Sequence, residues 1–524
     1  MTAAPPLLAA GLTHAGEQGG LVLVALLVAL VLAGVARVTP RATAVLTGGV
    51  LLLTPALLAL TLWDNPKLAT LHHHPLRGVA VLAAVLVVVA GLAFAIDRRD
   101  ELLPLLAVAA LPFRIPLGSV SSGLLLPLYA VVAAGALVSI WRAWRPSAGS
   151  AENGVACRPA DHVAGRGPAL MLSVVLILYA LEALYSPQKG VVRAVENAGF
   201  FYVPFALLFD LLRRREWSPL LIRRCLVVLL CLAAVFVLVG FAELAAGGHL
   251  LLNRSLDQDA YFVRINSLFY DPNVYGRFLA LTMIVTAAAM LFERPRRVVL
   301  AASAALALMW AGLLLSLSQS SMAALLAGLG VVALGAWGRR AASVAASVAA
   351  LAVVGAIVYA AQSGNSANFL TSGRATLVSG GIDLFDARPL AGYGSGSFAT
   401  EYLLHYPHKR SPFQIAKHLP YSPPTTSDSH TAPVTIAAEQ GSIGLVAYVL
   451  LLVVCLRELF GAGLLRTRAG EEWLPRLAIG AAFVGLIVHT LLYADFLEDP
   501  ATWVLLAVGG ALAARARASG PATR

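Results

Sequence analysis

Apolar runs of roughly 17 to 22 residues recur along nearly the whole chain, the length an α-helix needs to cross a hydrocarbon core about 30 Å thick. GLVLVALLVALVLAGVA, at positions 20–36, is typical. In lipid every backbone polar group must be satisfied internally, so only helices or closed barrels serve. A barrel would show alternating segments of about ten residues, and none is present. The runs predict about twelve to fifteen helical spans, with the pieces at 101–113 and 199–212 too short for confident crossings and open to being re-entrant or broken helices. Composition agrees: 59% of the 524 residues are hydrophobic, 12% are charged and the mean hydropathy is +0.80, outside the range of soluble globular domains. The expected fold is all-α, a polytopic transmembrane helix bundle with one long external loop region.

The formal charge of +11 invites a nucleic-acid reading, but topology accounts for it better. With the C-terminus in the cytoplasm, most of the 38 lysines and arginines fall on cytoplasmic connections, the expected positive-inside bias. No nucleic-acid partner is expected, and the bilayer is. The first twenty residues lack the basic start of a cleavable signal peptide. Cys157, Cys225, Cys231 and Cys455 imply no disulfide framework. His72, His73 and His74 lack a Cys, Asp or Glu at ligand spacing, so no metal site is expected there. The chain divides into N-terminal helices (1–243), an external segment (244–273), further helices (274–360), a large external loop (361–432), C-terminal helices (433–516) and a cytoplasmic tail (517–524).

Loops as long as 361–432 are usually functional or disordered. This one carries Arg374, a possible interfacial helix through Leu377, Ile382, Leu384 and Phe385, and then RPLAGYGSGSF. The glycines suit a turn with positive φ better than a dinucleotide fingerprint, which needs a preceding strand. In the earlier external piece, Asp271 fits an N-cap and Pro272 a first helical residue, with Asn273 next. Arg264 and Arg277 flank that helix start, where a cation must reach water or an anion. The serines of LSLSQSS, at 315–321, suit helix packing or capping. His489 and Asp495 are ionisable residues near membrane depth, which makes them functional candidates by default.

Taken in order, these pieces resemble the O-antigen ligase and polymerase family, bacterial membrane enzymes that move lipid-linked glycans onto acceptors. The matching elements are Arg264 before Asp271-Pro272-Asn273, the serine hairpin, and Arg374 in SGRATL. They continue with Pro389-Leu390, Gly392, Gly394, Gly396 and Phe398, and end with His430 ahead of Glu439, Gly441, Ile443 and Gly444. Two positions depart from the pattern. The family's hairpin often carries arginine after serine, where this chain has Ser321 and Met322, and its histidine is usually followed by asparagine, where Thr431 stands.

The resemblance implies a GT-C-like fold in the bacterial inner membrane with the site on the external face. It also implies an inverting, metal-independent transfer, with no cofactor, from a polyprenyl-diphosphate glycan donor to a hydroxyl of a glycan or glycolipid acceptor. The residues suit that chemistry. A leaving diphosphate needs fixed cations, and arginine offers a fork to phosphate oxygens, which favours Arg264 and Arg374, then Arg277 and Arg388. A histidine accepts the acceptor's proton near neutral pH. His430 is the choice over His405, His408 and His418 because a helix start at Pro433 fixes it, and Asp428 could orient it. Glu439 is half a helical turn out of phase and is expected to face neighbouring helices; with Asp271, Asn273 and His489 it is a possible supporting residue. A polysaccharide polymerase shares this donor chemistry and stays open as an alternative. A lipid-linked-glycan flippase is the alternative of another class, disfavoured by the scarcity of mid-membrane charge, and Asp428 leaves room for a peptidoglycan-polymerase-like enzyme.

Overall fold

Every regular element is helical in the computed structural model, which describes residues 13–34, 40–65, 74–114, 124–145, 165–247, 264–269, 271–292, 295–338, 340, 343, 374–406, 428–461, 464–465 and 471–518. Nearly all of the expected span at 342–360, with His72, His73, His408 and His418, lies outside the described residues. The elements are α1 (His14–Ala33), α2 (Pro40–Thr61), α3 (Pro75–Arg98), α4 (Leu102–Ala110), α5 (Leu126–Trp144), α6 (Arg166–Glu182), α7 (Gln188–Arg213) and α8 (Pro219–Ala245). They continue with α9 (Pro272–Phe292), α10 (Arg296–Ser316), α11 (Gln319–Trp337), α12 (Arg374–Ala387), α13 (Phe398–His405), α14 (Ala432–Phe460), α15 (Trp473–Leu491) and α16 (Pro500–Ala518). Twelve helices among the described residues are long and apolar enough to cross a membrane. The protein is a multi-pass helical membrane protein.

Proline repeatedly opens these helices, at Pro75, Pro219, Pro272 and Pro500, where its missing N–H costs nothing and its φ is already helical. Ser218 adds a side-chain cap, accepting from the Leu221 amide at 3.2 Å. The 101–113 run is the nine-residue α4. The 199–212 run is not a separate short piece. It is the second half of α7, continuous with a polar first half, QKGVVRAVEN, through a π-turn at Ala198–Tyr202. That first half buries Val191, Ala194 and Val195 on one face, and its charged face hid it from a hydropathy scan.

Two apolar cores divide the bundle. One draws on α1, α2, α5 to α7, α14 and α16, with Phe205, Phe209 and Trp503 fully buried; the other draws on α8 to α11, with Phe236, Phe269 and Tyr275. α15 serves both, giving Ala478, Ala481 and Ala482 to the second core and Phe483 to the first. Lipid supplies no hydrophobic drive between helices, so close approach of small residues matters. At Gly328 an added Cβ would lie 2.3 Å from Ile284, and at Gly335 2.5 Å from Leu477.

Arginines and acids gather at one end of the bundle. Arg142 meets Asp97 and Asp100, Arg215 meets Asp100, Arg515 meets Glu472 and Arg517 meets Glu458, at 2.8 to 3.2 Å. The other end carries the starts of α9, α11, α14 and α16, and there the sequence candidates converge.

Candidate active site

The first wall is the start of α9 against the serine hairpin between α10 and α11. Asp271 caps the helix as expected, its Oδ1 accepting from the Asn273 amide at 2.5 Å. The preceding segment is pinned where the Ile265 amide donates to the Leu315 carbonyl (3.1 Å) and the Ser267 amide to the Glu243 carboxylate (2.8 Å). Arg264 is thereby laid along the hairpin, donating to the Ser316 carbonyl (3.1 Å) and Asn273 Oδ1 (3.2 Å). The serines satisfy one another and the helix ends. Ser318 reaches Ser321 (2.7 Å) and Asn273 Oδ1 (3.0 Å), and Ser320 reaches His489 Nε2 at 3.2 Å.

The second wall explains the glycines. α14 breaks at Gly441, whose φ of 62° and ψ of −160° lie outside the helical region. A continuous helix would bond the Ser442 and Ile443 amides to the carbonyls of Ala438 and Glu439. Here Ser442 donates to Pro389 (2.8 Å) and Ile443 to Leu390 (3.3 Å), while Ala438 and Glu439 accept from Tyr393 (3.2 Å) and Gly394 (2.7 Å). The glycine turn is plugged into the gap, and two lost helical bonds become four. Gly392, Gly394 and Gly396 all have positive φ (64°, 96° and 76°), as the sequence pattern requires. Glu439 turns toward this plug, its carboxylate accepting from the amides of Gly396 (2.9 Å) and Phe398 (3.0 Å).

Between these walls sits the short turn before α14. Asp428 Oδ1 accepts from the His430 amide at 2.8 Å, an Asx-type turn, and lies 3.5 Å from His430 Nδ1. Ser429 locks the turn through Thr431 and Thr435, both at 2.9 Å. His430 itself has φ 57°, a left-handed conformation costly for a residue with a side chain and held only because its surroundings fix it. Its side chain is 38% exposed.

The connector between α15 and α16, residues 492–499, joins the parts. The Tyr493 ring stacks with His430 at 5.9 Å and meets His489 edge-on at 5.5 Å. Arg374 lies 5.8 Å above it and donates to the Leu492 carbonyl at 3.2 Å. The Tyr493 hydroxyl donates to Asp271 Oδ2 at 3.0 Å. Burial, with the charges of Asp271 and Asp495, holds this hydroxyl well above the usual tyrosine range, so it stays a donor. Burial raises the Asp495 carboxyl too, against the pull of Arg277. Glu498, bonded to the Tyr202 hydroxyl at 2.6 Å, is pushed up to about 7 by burial and by Asp495.

His430, Asp428, Arg374, Asp271 and His489 thus meet around one tyrosine, and Arg264 and Asn273 join them through the hairpin. Arg277 is buried beneath, 2.6 Å from Asp499. Arg388 stands with the glycine turn, over the Tyr393 ring at 4.4 Å, and His405 is tied to that ring and to the Glu401 carbonyl. Tyr493, Glu498, Asp499, Tyr202 and Arg193 were not singled out from the sequence. The faint signal was LLYADFLEDP, a polar interruption between apolar runs with a proline restart.

Residues 304–449 match the family described as O-antigen ligase, which bears out the resemblance over the serine hairpin, the glycine turn, His430 and Glu439. Arg264, Asp271 and the 492–499 connector lie outside the matched stretch. No curated protein matches the chain.

Proposed function

We propose that this chain, similar over residues 304–449 to O-antigen ligases, is a membrane glycosyltransferase that moves a glycan from a polyprenyl-diphosphate donor to a hydroxyl acceptor with inversion. The observation that carries the reading is the placement of His430 and Arg374 against one ring, Tyr493. A base candidate and a fixed cation then address neighbouring atoms. In the reaction the acceptor oxygen bonds to the anomeric carbon, its proton passes to His430, and the carbon–oxygen bond to the diphosphate breaks with its electrons leaving on the diphosphate. Asp428, which accepts from the His430 amide and lies 3.5 Å from its Nδ1, orients the histidine. Arg374 and Arg264 stabilise the leaving diphosphate, so the reaction needs no cofactor. Buried Arg277 contributes a fixed positive charge beneath the site.

In this reading the basic end of the bundle lies at the cytoplasmic face of a bacterial inner membrane, with the site and the start of α14 outside and the C-terminus inside, and the positive-inside bias supports that orientation. The test is incubation of the purified protein in liposomes with a polyprenyl-diphosphate oligosaccharide and candidate acceptors. Single transfer to a glycolipid marks a ligase and a glycan ladder marks a polymerase. Lipid-linked glycan crossing the bilayer with no donor consumed contradicts the enzyme reading.

A further inference from the structure

A cavity opens beside Asp428, enclosed by α6, α7, the start of α14 and the connector. The donor reading leaves it unused. Its relation to the arginines is set by one short segment. Ala494 through Glu498 line the cavity, whereas Tyr493 and Asp499, at either end of the same segment, engage Arg374 and Arg277. The connector therefore separates the residues that engage the arginines from those that line the cavity.

The cavity wall is rich in carboxyls. Asp428, Glu439, Asp495 and Glu498 line the cavity, and the one arginine on its wall, Arg193, is 3.4 Å from Glu196. Carboxyls on such a wall disfavour a diphosphate, whose charge would oppose every ionised group beside it. They suit a ligand rich in hydroxyls, since a carboxyl accepts from a hydroxyl when ionised and both accepts and donates when protonated. Aromatic rings complete it: Tyr179 and Tyr202 meet edge to face at 5.0 Å, and Tyr448 and Phe496 at 5.4 Å, apolar faces of the kind on which sugar C–H groups rest.

Two polar atoms on this wall stand without a hydrogen-bond partner among the described residues, Asn197 Oδ1 and Tyr448 Oη. Tyr448 is 3% exposed, and Thr490 beside it donates to the Ile487 carbonyl at 2.9 Å. Buried polar groups are normally paired, so unpaired ones on a cavity wall mark where a ligand's hydroxyls fit. Asp428 links the cavity to the histidine, since the carboxyl group that accepts from the His430 amide also lines the cavity.

We infer that this cavity is the acceptor subsite, which seats a neutral, hydroxyl-rich saccharide and delivers one hydroxyl to His430 from the side opposite the arginines. The inference rests on the glycosyl-transfer reading above and adds where the second substrate enters. Specificity for the acceptor then lies in Glu498, Asn197 and Tyr448, apart from donor affinity.

The test uses the full-length protein in liposomes, a polyprenyl-diphosphate disaccharide as donor and, as acceptor, the glycolipid fraction extracted from cells that make the protein. Ile436→Trp fills the cavity, and Glu498→Gln keeps its shape, which guards against misfolding of the first variant. Donor Kd and the acceptor dependence of transfer are measured separately. Both variants are expected to raise the acceptor KM at least about tenfold and leave the donor Kd within about twofold. An unchanged acceptor KM in both variants overturns the inference, and a donor Kd that weakens in step overturns it in favour of a donor-glycan site. A wild-type protein that binds no donor overturns the underlying reading and this inference with it, and that outcome shows in the unmodified chain.

Discussion

The imidazole of His430 lies on the ring of Tyr493, with centroids 5.9 Å apart and planes 28° from parallel. The contact joins the turn before α14 to the connector after α15, and the same tyrosine supports Arg374 and bonds Asp271. Tyr493→Phe keeps the ring and loses one hydrogen bond of about 0.5–1.5 kcal/mol, so transfer should fall roughly two- to tenfold. Tyr493→Ala removes the platform and should cost about a hundredfold or more. Initial rates of glycan transfer at saturating donor check both, and equal losses in the two variants would contradict the platform role.

Gly441 and Gly392 form the joint between helix break and plug. A Cβ at Gly441 would lie 2.3 Å from the Leu390 carbonyl oxygen, and one at Gly392 2.3 Å from that of Glu439, in backbones of positive φ. Left-handed strain alone costs about 1–2 kcal/mol, and backbone oxygens have no room to withdraw. Gly441→Ala and Gly392→Ala should each lower the melting temperature of the detergent-solubilised protein by several degrees. Gly330→Ala, with open space around it, should leave the melting temperature unchanged.

Two arginines of the set should answer differently to a conservative change. Arg374→Lys keeps the charge at the exposed edge of the site and loses the fork, so donor affinity should drop about tenfold with thermal stability intact. Arg277→Lys disturbs a buried pair with Asp499, where breaking one partner costs about 3–5 kcal/mol, so stability should fall first. Donor binding and thermal unfolding measured side by side distinguish them, and a stable Arg277→Lys protein with weakened donor binding would reverse the assignment.

Glu498 sets a pH dependence. Its carboxyl titrates at about 7 in the folded protein against the ordinary 4.5, because burial and Asp495 disfavour the charge. Between those values the folded state holds the proton that the unfolded state has lost. Stability is therefore greatest below the ordinary value, falls as pH rises toward 7 and is flat above, with a total change of about 3 kcal/mol. Thermal unfolding at about pH 5 and about pH 8 should show this fall in the wild type and a smaller one in Glu498→Gln. Equal slopes would show that Glu498 does not cause it.

Helices were legible because lipid leaves the backbone few options, so run length alone identifies most spans. The caps at Asp271 and Pro272 and the positive-φ glycines were legible for similar local reasons. The polar half of α7 was not, since QKGVVRAVEN carries its apolar residues on one face only and fails a hydropathy scan. Glu439 could be separated from His430 by helical phase, but its pairing with the amides of Gly396 and Phe398 depends on a break at Gly441 that no local signal announces. Tyr493 was invisible for another reason. Its role comes from four partners, Asp271, Arg374, His430 and His489, which only the tertiary fold brings together.

If His430 takes the acceptor's proton while the donor is held elsewhere, single-turnover transfer and donor Kd, measured on the same preparation of His430→Gln, separate. The expected result is a fall in transfer of about 10²–10⁴-fold with donor Kd unchanged. Wild-type turnover in that variant, or a loss of donor binding equal to the loss of transfer, would contradict it.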